Sequence, residues 1–255
     1  MIMSGSDMIN LDRIHLSGKA KTDLAIFINQ IASFYKNDLL SITAFGSRVT
    51  GDQSKSGSDL NLLVIYSDLN IADLHKIAGL AKKFHKKHHF APRFLSRRNL
   101  FDSAKYFALD IVNMKDSRAV IYGSDILEGL DVSPSDLRWQ ISHEIKKMRM
   151  RLKQQFWMIS GDKALMSRVV ARRFTSLLYL MRGLFYLKFK SAPVGKDDII
   201  SEAVSKLGIN SNALSQLKGV KDGTIKGSHE VLIQCFDHLM NIIRTIDEET
   251  GKPTA

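Results

Sequence analysis

The chain has 255 residues, 44% of them hydrophobic, and a net charge of +11. No apolar run approaches the length of a membrane-spanning helix, and the first ten residues, MIMSGSDMIN, lack the basic and apolar regions of a signal peptide. The single cysteine, Cys235, excludes an internal disulfide and reads as a small core residue, so a cytoplasmic protein is expected. A chain of this size supports two modest cores better than one large one. The positive field favours phosphate-bearing partners such as nucleotides or RNA, although charge alone selects none of them.

Residues 1–20 are polar, without a clean period, and read as a loose lead-in. From Thr22 the apolar positions Leu24, Phe27, Ile28, Ile31 and Tyr35 follow helical spacing. Leu39 to Phe45 predicts a strand closed by Gly46. Leu60 to Tyr66, a nearly continuous apolar run, predicts a buried strand. Ile71 to His89 predicts a helix with a basic end, KKFHKKHH. Its His85, His88 and His89 have no carboxylate close in sequence, so a solvated face is the simpler reading. Phe90 to Ser96 predicts a third strand, and Arg97 to Tyr106 a loop or short helix. Phe107 to Met114 and Ala119 to Tyr122 predict two further strands joined by a turn at KDSR.

Ser133-Pro134 then opens an all-helical half, with Ser133 as cap and Pro134 at the first helical position. Long helices are expected to Ile159 and over Lys163 to Lys190. A shorter one spans Lys196 to Leu207, a loop Lys218 to Gly227, and a last helix Ser228 to Glu249. Helices this apolar either close on themselves or pair with a second copy, so a homodimer stays open. The fold class expected is α+β: a mixed β-sheet with flanking helices over residues 21–131, after the lead-in 1–20, then an all-α helical bundle over 132–255.

The chemistry concentrates between Ser41 and Tyr66, SITAFGSRVTGDQSKSGSDLNLLVIY. A strand ending in Gly-Ser presents close backbone and one hydroxyl to a phosphate. Asp59 and Asn61, two apart at the mouth of the next strand, project to one side. Two oxygens so placed can hold Mg²⁺. Asp59 as a strand-edge carboxylate and Asn61 as a packing amide remain alternatives. Arg48 reads as a phosphate contact or an exposed loop residue, and Asp52 and Asp68 as turn residues.

This combination resembles the polymerase-beta-like nucleotidyltransferase superfamily. Its minimal pattern is an apolar strand, Gly-Ser, a nearby Gly, and Ser-Asp-x-Asp leading into a second apolar strand. The matching residues are Phe45, Gly46, Ser47, Arg48, Gly51, Ser58, Asp59, Leu60, Asn61 and Leu62 to Ile65. The helical half is similar to the domains that follow this core in kanamycin-type members. FALDIVNMKDSRAVIYGSDIL is similar to a connecting segment in such proteins. The resemblance implies a nucleotidyltransferase-type sheet and magnesium-dependent transfer of a nucleoside monophosphate from a nucleoside triphosphate. It implies Gly46, Ser47, Arg48 and Ser58 on the nucleotide, and Asp59 and Asn61 as catalytic residues and metal ligands. The acceptor (small molecule, protein or RNA) would lie beside the bundle.

Two positions depart from the pattern. Asn61 stands where the superfamily has its second Asp, and the strand Phe90 to Ser96, where the superfamily usually carries a third acid, has Arg93 and no acid. Asp110 is the one substitute the sequence offers. The alternative reading is therefore a catalytically inactive nucleotide- or RNA-binding or regulatory protein on the same fold, with the basic face of the 137–159 helix as its contact surface.

Overall fold

A computed structural model of the chain describes residues 9–51, 59–68 and 70–253. The chain divides into two compact units, Met1–Val132 and Ser133–Ala255.

The first unit is built on a four-stranded sheet with strands β1 (Leu39–Phe45), β2 (Leu60–Tyr66), β3 (Phe90–Ser96) and β4 (Arg118–Gly123), in the order β3-β2-β1-β4. β1 runs antiparallel to β2 and β4, and β2 parallel to β3. Helices α1 (Gly18–Tyr35) and α3 (Ile71–His88) pack on one face, where Leu24, Phe27, Ile31 and Phe84 meet Ile42, Leu62 and Val64. The other face carries Phe45, Leu63 and Ile65 under Leu100, Ile111 and Met114 of α4 (Arg97–Asp102) and α5 (Ala108–Asp116). Burial on both faces explains why β2 is apolar at nearly every position. Pro92 sits on β3 because an edge strand can spare one backbone donor. Ser17, Asn70 and Ser96 accept the first free N–H groups of α1, α3 and α4.

Two expectations fail in this unit. Phe107–Met114 is not a strand but most of α5. Its residues are buried on almost every side, and an apolar run buried all round has no period to betray a helix. The side chains of Asn113 and Ser117 confirm the helical register by donating to carbonyls four residues back, Leu109 and Asn113. Residues 9–17 are not loose. Asn10 N–H donates to the Ile121 carbonyl at 2.9 Å, and Ile14 enters the core.

The second unit is all helix: α6 (Pro134–Ile159), α7 (Lys163–Phe189), α8 (Lys196–Leu207), α9 (Ser211–Asp222) and α10 (His229–Gly251). Ser133 and Ser228 cap α6 and α10 as expected. α7 contacts all four others, which accounts for its apolar circumference. The loop expected from Lys218 begins later, because α9 runs to Asp222 and ends at Gly223 in the left-handed region. Cys235 is buried in α10, and burial pushes its thiol up to about 11. Among the described residues no helix is long and apolar enough to cross a membrane.

Candidate active site

The site begins where β1 ends. Gly46 has φ +85° and ψ −159°, a combination open essentially to glycine alone. It turns the chain into the short helix α2 (Ser47–Thr50), and Gly51 at φ +77° ends that helix. The Gly46 N–H is engaged within the protein. It donates to the Ser117 carbonyl and hydroxyl at 3.1 and 3.2 Å, so the end of α5 fixes the turn. Ser47 and Arg48 are the first residues of α2. His15 clamps this segment from the other side: its N–H donates to the Arg48 carbonyl at 2.8 Å, and Arg48 Nη1 reaches the His15 carbonyl at 3.5 Å.

Asp59 immediately precedes β2, and Asn61 is its second residue, paired with Phe45 across β1. Asn61 thus lies against the Gly-Ser turn. A Cβ built on Gly46 would stand 3.4 Å from Asn61 Nδ2. Ser58 and Asp52 fall outside the described residues. The structure therefore brings Gly46, Asn61 and Asp59 together at one end of the sheet.

Asp59 and Asn61 open into a cleft of about 550 Å³ along the β3 edge and α3. Its other polar lining is cationic or titratable: Lys82, His85, Lys86 and Arg93. Arg93 also lies over the Phe45 ring at 5.5 Å, in the geometry of a cation–π contact. Among the described lining residues Asp59 is the one carboxylate, with His89 Nδ1 3.8 Å from Oδ1. Asp110 is in the first turn of α5 and does not line the cleft. Among the described residues no group of three metal-ligating side chains occurs. This donor set does not fit a metal pair. One carboxylate beside one amide oxygen fits a single Mg²⁺ that arrives with phosphates and keeps its waters.

His85 and His89 are exposed, as the solvated-face reading expects, but His88 is not. His88 Nε2 is bonded to Asp23 of α1, which also takes Lys87 Nζ at 2.6 Å, and the His88 ring stacks on Phe90. His85 Nδ1 is 3.0 Å from the Phe90 carbonyl. His89, at φ +57°, ends α3, and its carbonyl accepts from Leu60 N–H at 2.9 Å. The sequence reading missed His15, Ser117 and His89 as neighbours of the site. No local signal marks them, because each arrives from a distant element.

This mixed sheet with flanking helices, followed by a helical unit, is a nucleotidyltransferase-type fold. Among solved structures the chain is similar to that of spectinomycin adenyltransferase AAD(9) from Enterococcus faecialis with ATP and spectinomycin. The TM-score is 0.59 at 14% identity, over 88% of this chain and 99% of that one. No protein-family model and no curated protein matches the chain.

Proposed function

We propose that the chain binds a nucleoside triphosphate and transfers its nucleoside monophosphate to an acceptor. The reading rests on one observation: the Gly46-Ser47 turn and Asp59-Asn61 meet at the head of a cleft lined by Lys82, Lys86 and Arg93. Ser47 and Arg48 would face the phosphates from the turn. Asp59 and Asn61 would hold one Mg²⁺, which when bound supplies charge neutralisation. An acceptor oxygen would bond to the α-phosphorus while its bond to the bridging oxygen breaks and pyrophosphate leaves with the electron pair. Arg93 and the lysines would neutralise the charge on that leaving group. Asp59 can hold the ion or take the acceptor's proton, not both, so slow transfer is expected. The likeness to an adenyltransferase solved with ATP supports ATP as the first triphosphate to test.

A second reading, nucleotide binding without transfer, is favoured by Asn61 and Arg93 standing where acids are expected. The test is thermal unfolding with each nucleoside triphosphate, with and without Mg²⁺. One triphosphate at a hundred times its Kd should stabilise the protein by about 2.7 kcal/mol. That corresponds to roughly 5–10 °C for a chain of this size. No shift with any triphosphate would remove both readings. Pyrophosphate release then separates them, and Asn61→Asp should raise the Mg²⁺-dependent part of the shift.

A further inference from the structure

The cation surplus of the chain is gathered in one helical hairpin. From Lys146 to Lys190 the sequence holds twelve lysines and arginines and one acid, Asp162. That surplus equals the +11 of the whole chain. Part of it is satisfied locally: Lys147 pairs with Glu144, Arg149 with Asp247 and Lys188 with Glu249, and Arg182 is buried. Among the described residues no carboxylate pairs with Arg151, Lys153, Arg168 or Arg172. Three guanidiniums converge where α6 meets α7. Arg173 donates to Gln155 Oε1 at 2.7 Å, and burial first, then neighbouring Arg151 and Arg172, holds it below the usual arginine range.

A large exposed aromatic, Trp157, stands one turn from Lys153 on α6. Trp157 is 82% exposed, and Met150 and Met158 are 65% and 75% exposed. Lys146, Met150, Lys153 and Trp157 follow steps of four, three and four, so they share one stripe of α6. The opposite stripe, from Leu137 to Leu152, is buried in the bundle, so the exposed one is not needed for folding.

We propose that the exposed surface of α6 and α7 binds single-stranded nucleic acid. Arg151, Lys153, Arg168 and Arg172 meet phosphates, and Trp157 stacks on a base. Cations that track a backbone beside an aromatic platform are how proteins hold single strands without reading their sequence. A second copy is a poor occupant, because pairing this face with itself would bring like charges together. A membrane is also a poor one, because one indole and two thioethers are little apolar area to insert. The inference uses no residue of the nucleotide cleft and stands or falls apart from the transferase reading.

The test is fluorescence anisotropy of a labelled twenty-nucleotide oligo(U) titrated with the full chain. Saturable binding should weaken roughly fifty-fold between 50 and 200 mM salt if about four phosphates are contacted. Trp157→Ala should weaken it about fivefold or more with the salt slope unchanged, and Trp157→Phe should recover most of the loss. A double Arg151→Ala, Arg172→Ala variant should flatten the slope. Unchanged melting temperatures would show that the folded unit survives these exposed substitutions. Absence of binding, binding indifferent to Trp157, or binding to anionic vesicles but not to oligonucleotide would overturn the proposal. So would a dimer in light scattering that Trp157→Ala dissolves.

Discussion

Gly46 is the residue on which the candidate site turns. At φ +85° and ψ −159° an L side chain is strained whatever space surrounds it. Gly46→Ala should therefore destabilise the protein by about 1–3 kcal/mol in urea unfolding. It should also weaken any triphosphate-induced shift, because Asn61 packs against the same turn. A variant as stable as the parent would mean that the turn relaxes without cost. Asn61 and Arg93 show how single residues reset the chemistry of a fold. The first leaves an amide where the resemblance implies a carboxylate, and the second brings a cation to the cleft edge. Both are legible in the sequence as departures from a pattern. Their cationic company from Lys82 and Lys86 is not, because those side chains belong to a different element.

At the scale of elements, one carboxylate bridges α1 and α3 beside their apolar packing. Asp23 accepts from Lys87 and His88, in that order of effect, and these partners hold its carboxyl below the ordinary 3.8. The folded value lies below the unfolded one. The stabilisation is thus complete above the unfolded value and is lost as pH falls from there through the folded value. Melting temperature against pH should show Asp23→Asn less stable than the parent at neutral pH, with the two curves converging below about pH 4. Parallel curves down to the lowest pH would contradict this. Some acid sensitivity should persist in the variant, since Glu249 is held down in the same way by Lys188 and Lys252. The strand expected over Phe107–Met114 belongs to this scale too. A nine-residue helix that buries Ala108, Leu109, Ile111, Val112, Asn113 and Met114 alike leaves too few exposed positions to set a period, so only its surroundings identify it.

For the molecule as a whole, a net charge of +11 opposes compaction by self-repulsion. Raising salt from roughly 10 to 150 mM shortens the screening length from about 30 to about 8 Å. The melting temperature should rise over that range, where oligonucleotide binding should fall. A flat or falling melting temperature would show that local pairs such as Arg149–Asp247 and Lys188–Glu249 already balance the field.

The sequence by itself determined the parts whose cause is local. The strands on either side of Gly46-Ser47 follow from apolar runs, the turn from glycine, and the helix starts at Ser133 and Ser228 from their caps. The surplus of positive charge is likewise plain from composition. Tertiary structure alone decided what surrounds Asp59. Which side chains share a cleft depends on strand register and helix packing, which bring His89, Lys86 and Arg93 to it but, among the described lining residues, no second acid. It also decided that His88 is partnered rather than solvated. Asp23, far away along the chain, becomes its neighbour only when α1 and α3 pack on the same face of the sheet.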